Sequence, residues 1–128
     1  MNTDEVMAAL DPKLRKRLLL ASDAPPIEYC ELPSVGMNKA LNGGLAYGRQ
    51  VLVWGSKSSA KSSLCLQTIG MAQKEGKVCA WIDAEMSYDP AWAERLGVDS
   101  EKLIYSTART INDMVDVGTA LMKAGVDL

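Results

Sequence analysis

Apolar positions along the chain fall into two regimes. Up to about residue 33 they come at helical spacing or in short alternations. Val6, Met7 and Leu10 share one side of a first helix, capped by Asn2 or Thr3, with Asp4 and Glu5 at its positive N-terminal end. Asp11-Pro12 reads as a fresh cap and first helical residue. It predicts a second helix from Pro12 to about Ala21, with Lys13, Arg15, Lys16 and Arg17 set against Leu14, Leu18 and Leu19. Ser22 to Pro26 is linker-like, and Ile27 to Leu32 alternates as an edge strand does before Pro33 stops it. A helical turn around Asn38 to Leu41 then runs into the turn signal Asn42-Gly43-Gly44.

From Arg49 onward the pattern switches to alternating β and α. Val51-Leu52-Val53-Trp54 is the kind of apolar run found in buried parallel strands, and a Gly/Ser-rich loop and a helix from Ser62 to about Glu75 follow it. Gly76 closes that helix, and Val78 to Ile82 forms a second buried-type strand that ends in Asp83-Ala84-Glu85. Asp89-Pro90 opens a helix to Leu96 that Gly97 ends, and Leu103 to Ser106 is a third strand. Thr110 with Asp113 starts a helix through about Ala124, ended by Gly125, and Val126-Asp127-Leu128 reads as the opening of a fourth strand. This order predicts an α/β fold, a mainly parallel three-layer sheet with right-handed crossovers. Neither internal repeats nor low-complexity segments interrupt it.

Composition narrows the function classes. With 128 residues and 48% hydrophobic content the chain has the material for one domain with a modest core. A formal net charge of −2 excludes nucleic-acid binding by bulk charge, though not by a local basic patch. The cluster from Lys13 to Arg17 is such a patch, and it reads either as a solvated face or as an arm that docks on a neighbouring subunit or on nucleic acid. The three cysteines, Cys30, Cys65 and Cys79, show no C-x-x-C spacing, which argues against a disulfide framework or a zinc site and favours a reducing, cytoplasmic compartment. Histidine is absent, which removes imidazole chemistry. No apolar stretch is long enough for a membrane span, and Asp4 and Glu5 replace the basic start of a signal peptide.

The candidate chemistry lies in two places. Gly55-Ser56-Lys57-Ser58-Ser59-Ala60-Lys61-Ser62, followed by Ser63, nearly fills the phosphate-loop pattern G-x-x-x-x-G-K-[ST] between an expected strand and an expected helix. In such a loop, inward backbone N–H groups and the helix N-terminus cradle a polyphosphate, Lys61 reaches the β- and γ-phosphates, and Ser62 offers a hydroxyl to Mg²⁺. Ala60 departs from the pattern. Its Cβ is expected to restrict φ > 0 and to crowd the approach of phosphate. The second place is the C-terminal edge of the next strand, where α/β sheets bind ligands. There Asp83 or Glu85 can orient or deprotonate a water, Asp83 alone can hold Mg²⁺, or both are solvated loop carboxylates. Asp89 reads first as an N-cap and Trp92 as a half-buried aromatic.

With the phosphate loop, Ile82-Asp83-Ala84-Glu85, Asp89-Pro90 and Leu96-Gly97-Val98-Asp99 in order, the chain resembles the ATPase core of the RecA family of strand-exchange recombinases. Asn42-Gly43-Gly44-Leu45 with Gly48-Arg49, and Lys74-Glu75-Gly76-Lys77, are similar to the family's segments before its core strands. The likeness implies a RecA-like phosphate-loop ATPase core over 34–128, incomplete at its C-terminal end, behind a helical arm and linker strand over 1–33 that is a candidate for oligomerisation. It implies that Gly55, Ser56, Lys57, Ser58, Ser59, Ala60, Lys61, Ser62 and Ser63 bind ATP and that Ser62 ligates Mg²⁺. Lys61 and Glu85 would be catalytic, with Glu85 activating the attacking water. Asp89 would meet the adenine amino group and Trp92 would stack on the ring. Met86 stands where bacterial members commonly have histidine, and phage members tolerate a non-glycine residue at the Ala60 position, so the likeness extends to a phage-type recombinase.

The function so implied is an ATP-dependent DNA recombinase, active in homologous recombination and DNA repair. It would form a homo-oligomeric filament on single-stranded DNA and pair it with homologous double-stranded DNA. The strand carrying the Mg²⁺-binding aspartate and the DNA-binding loops would lie past Leu128, so the chain is expected to be an N-terminal fragment. The alternative is a non-catalytic nucleotide-binding module that modulates or caps recombinase filaments. A small-molecule kinase lacks support, because no acceptor motif or arginine-rich lid follows Glu85.

Overall fold

The computed structural model describes residues 2–128. Local rules account for most of its elements. Helix α1, Thr3–Ala9, starts in a capping box in which Asn2 accepts from the Glu5 N–H and the Glu5 carboxylate accepts from the Asn2 N–H. Asp11 caps α2, but α2 covers only Pro12–Arg15, not the longer helix expected to Ala21. Like charges at Lys13 and Arg17 stand one turn apart, and Leu14, Leu18 and Leu19 stay exposed, so no packing face extends this short helix. A 3₁₀ turn, Ala21–Asp23, leads to β1, Tyr29–Cys30, which is a much shorter strand than the alternation suggested. After α3, Val35–Ala40, the strand β2, Leu45–Ala46, pairs antiparallel with β1.

Next come α4, Lys61–Lys74; β3, Cys79–Ile82; α5, Pro90–Arg95; β4, Leu103–Ser106; and α6, Ile111–Ala124. β3 and β4 pair in parallel from Cys79↔Leu103 to Ile82↔Ser106. Cys79 belongs to the core that α4 supplies, whereas Ile82, three residues on, lies next to Gly118 of α6. Because side chains alternate along a strand, α4 and α6 cover opposite faces of β3, which gives the local three-layer arrangement. The start of a further strand is also visible, since the Asp127 N–H donates to the Val78 carbonyl at 2.9 Å and the Ala80 N–H to the Leu128 carbonyl at 2.8 Å.

One expected strand is not formed. Val51–Trp54 makes no backbone hydrogen bond to any other described residue, and Leu52 and Trp54 are each 84% exposed. The sheet is therefore two separate pairs, one antiparallel and one parallel. An apolar hollow of about 780 Å³ separates this run from β3, lined by Val51, Val53, Leu64, Ile69, Ala80 and Trp81 among others. A strand is held by a backbone ladder, and none of the described residues offers one to this run.

The core gathers around α4. Leu66, Ile69 and Ala72 pack with Cys30, Cys79, Ala93, Val98 and Leu103. The buried Thr68 hydroxyl is satisfied by the Leu64 carbonyl at 2.8 Å. The Gln73 amide holds the backbone of Asp99 at both ends, accepting from its N–H at 2.8 Å and donating to its carbonyl at 3.0 Å. That tie brings the Leu96-Gly97-Val98-Asp99 turn against the helix. Gly70 has to be glycine there, since a Cβ would come within 2.6 Å of the Gly97 carbonyl group. In an open helix Gly→Ala gains about 0.5–1 kcal/mol. Here the clash reverses the sign, and Gly70→Ala is expected to lower stability by about 1–3 kcal/mol, read from the urea midpoint of unfolding.

Candidate functional site

The sequence-selected residues collect at two ends of α4 and β3. Gly55–Ala60 forms an exposed loop into α4 whose tightness shows at Gly55, where a Cβ would meet the Ser59 hydroxyl at 2.8 Å. Ser58 and Ala60 both have left-handed backbones, at φ 60 and φ 62. Alanine at position 60 therefore does not keep the loop out of φ > 0, contrary to the sequence expectation. The loop imposes that conformation, at a cost of about 1–2 kcal/mol for a residue with a Cβ.

Lys61, the first residue of α4, folds back over the loop. Its ammonium donates to the Ser56 carbonyl at 2.9 Å and to the Gly55 carbonyl at 3.2 Å. Ser58, Ser59, Ala60, Lys61, Ser62 and Ser63 line a hollow of about 210 Å³ at the N-terminus of the helix. Small side chains, free N–H groups of the first turn, the helix dipole and one ammonium make this an anion-attracting concavity. Lys57 is exposed beside it.

The second group lies beyond β3. Asp83 is buried, with the Tyr88 N–H donating to its Oδ2 at 2.8 Å and the Tyr105 hydroxyl donating to the same oxygen at 3.2 Å. Glu85 is exposed in the turn that follows, and Met86 next to it is left-handed at φ 50. Two carboxylates only two residues apart are thus separated into a buried anchor and an exposed group. Asp89 caps α5 through the Trp92 N–H at 3.2 Å, as its position before proline suggested, and Trp92 is 46% exposed. No ion pair joins Glu85 or Asp89 to Lys61 among the described residues. Sequence reading passed over Tyr105, because nothing local marks a strand phenol as the partner of a carboxylate on the neighbouring strand.

The thiols are not chemical candidates. Burial pushes Cys79 up to about 11 and raises Cys30 and Cys65, so all three stay protonated at neutral pH, and all are free. Among the described residues no three His, Cys, Asp or Glu side chains gather to hold a metal ion, and no helix is long and apolar enough to cross a membrane.

The two carboxylates should separate in stability measurements. Asp83→Ala leaves a partly buried N–H and a phenol without their acceptor and is expected to cost about 1–3 kcal/mol, whereas Glu85→Ala should stay within about 0.5 kcal/mol of the parent. Ala60→Gly relieves the left-handed strain while adding chain entropy to the unfolded state, and a net gain of about 0.5–1 kcal/mol is expected. Urea titrations of the three variants check both.

Comparison with known proteins gives the chain its relatives. Residues 10–128 match the family model described as the RecA N-terminal domain. Protein RecA of Sulfurovum sp. is 46% identical over 105 residues, 80% of this chain and 30% of the relative. Protein RecA of Marinobacter nauticus is 44% identical over 92 residues, 71% of this chain and 26% of the relative, and that of Brucella anthropi is 41% identical over 109 residues, 83% and 30%. The chain thus spans under a third of the length of these relatives. A family match over nearly the whole chain, with these identities, shows that the chain belongs to the RecA family.

Proposed function

We propose that the Gly55–Ser62 loop is a phosphate-binding loop for ATP and that this chain is the nucleotide-binding part of an ATP-dependent DNA recombinase. The observation that carries the reading is the lysine-covered hollow at the N-terminus of α4. Lys61, now bonded to the carbonyls of Gly55 and Ser56, has a better acceptor in a phosphate oxygen, because the negative charge adds Coulomb attraction to a bond whose donor is already charged. Ser56, Ser58, Ser59, Ala60 and Ser63 allow the phosphates close to the backbone, and exposed Lys57 adds positive charge.

Mg²⁺ fits this site in its usual manner, shared between substrate phosphates and few protein ligands, and Ser62 is the ligand this chain supplies. When bound, the ion would neutralise charge on the phosphates. Glu85, exposed and free of the bonds that occupy Asp83, is the carboxylate available to activate a water. Trp92, at 46% exposure, offers a face for the adenine ring, with Asp89 beside it for the amino group.

The relatives named Protein RecA supply the wider reading. The polypeptide would assemble as a filament on single-stranded DNA, pair it with homologous duplex, and act in the cytoplasm in recombination and repair. The arm over 1–33, with no buried residue in α1 or α2, would serve assembly. A phage-type origin agrees with Ala60.

Lys61→Ala is expected to weaken MgATP binding about ten- to hundredfold, measured by calorimetry or a fluorescent analogue. In the native polypeptide that contains this chain, Glu85→Gln should keep binding within about threefold and reduce hydrolysis stimulated by single-stranded DNA by at least about a hundredfold. Unchanged turnover in Glu85→Gln would remove Glu85 as the water-activating group, and ATP binding with no measurable turnover in parent or variant would favour the non-catalytic, filament-modulating role instead.

A further inference from the structure

Asp83 is the only buried carboxylate among the described residues, and no lysine or arginine there pairs with it. A buried charge left without a cation needs its hydrogen bonds. Both of them converge on one atom. Oδ2 takes the Tyr88 N–H at 2.8 Å and the Tyr105 hydroxyl at 3.2 Å. The first bond closes a turn whose intervening residues, Ala84, Glu85, Met86 and Ser87, are all exposed.

The ends of that turn are fixed from several directions. The Asp83 N–H donates to the Ser106 carbonyl at 2.8 Å, extending the β3–β4 ladder by one step. Tyr88 packs on Tyr105 with ring centroids 5.1 Å apart and on Trp81 at 6.4 Å, and its hydroxyl lies 3.3 Å from that of Ser100. Between these anchors Met86 holds φ 50, a conformation that a side chain with a Cβ keeps only when its surroundings over-determine it. Glu85 sits next to that strained residue.

We propose that Tyr105, Asp83 and Tyr88 form a clamp that positions Glu85 for the water-activating step, with Tyr105 and Asp83 as positioning residues. The proposal deepens the function proposed above and rests on it. The clamp needs an acceptor oxygen at Oδ2, and it does not need the negative charge. Tyr105 remains a donor throughout the neutral range, because partial desolvation, and then the neighbouring Asp83 carboxylate, raise its pKa. A carboxylate that worked instead as a Mg²⁺ ligand or as the base would need its charge, and this separates the possibilities experimentally.

The test is steady-state ATP hydrolysis by the native polypeptide that contains this chain, at saturating single-stranded DNA, with kcat and KM for ATP resolved. Tyr105→Phe should lower kcat about three- to tenfold with KM within about twofold. Asp83→Asn, which keeps an acceptor oxygen, should hold kcat within about threefold of the parent, and Asp83→Ala should lose more than about tenfold. Wild-type kcat in Tyr105→Phe, or Asp83→Asn as defective as Asp83→Ala, would overturn the clamp. If Asp83→Ala does not fold, Tyr105→Phe and Asp83→Asn decide the matter between them. Glu85→Gln is measured alongside. Its loss of turnover upholds the underlying reading whatever the clamp variants do, and wild-type turnover removes that reading and the clamp together.

Discussion

The packed core of this molecule is arranged around the close approach of α4 to the Gly97–Val98 backbone. That contact exists because Gly70 has no side chain and because Gln73, one turn further on, holds Asp99 by both backbone groups. A helix so close to a loop brings Ala93 and Val98 into the same core as Leu66 and Ile69, and with them β3 and its partner β4. The N-terminus of α4, which carries Lys61, and the C-terminal end of β3, which carries Asp83, are thereby parts of one packed unit. Hydrophobic burial supplies the drive, and two side-chain hydrogen bonds and one glycine supply the geometry.

Electrostatics divide the labour among the charged groups. Asp83 commits one carboxylate oxygen, Oδ2, to two protein donors, and Asp89 commits one oxygen to the first turn of α5. Lys77 is similarly committed. It lies 4.6 Å above the Tyr47 ring, 3.4 Å from Glu28 and 3.9 Å from Asp127, and so joins the small antiparallel sheet, the start of β3 and the C-terminal residues. Lys61 and Glu85 differ from these, since one is bonded only to loop carbonyls and the other extends into solvent.

What sequence could tell follows from the range of each interaction. The caps at Asn2, Asp11, Asp89 and Thr110, and the helix stops at Gly97 and Gly125, depend on neighbours within a few residues and were legible. The Gly55–Ser62 loop was legible because its residue types carry its geometry, although the left-handed backbone of Ala60 was not, since composition there argues against it. The strand expected at Val51–Trp54 failed because apolar content specifies burial but does not supply a ladder. That Asp83 is buried and bonded while Glu85 is exposed was out of reach for a related reason. It depends on a phenol that is close only after β3 and β4 have paired.

The Gly55–Ala60 loop is supported unequally. On one side it continues into α4, the most buried helix of the molecule. On the other it continues into Val51–Trp54, which no backbone hydrogen bond ties to the rest of the described chain. In mechanical terms it is a cantilever, clamped at the helix and untied at the Val51–Trp54 run. The geometry of the loop is therefore set from the helix side, by Lys61 and the first turn of α4, rather than from the Val51–Trp54 side.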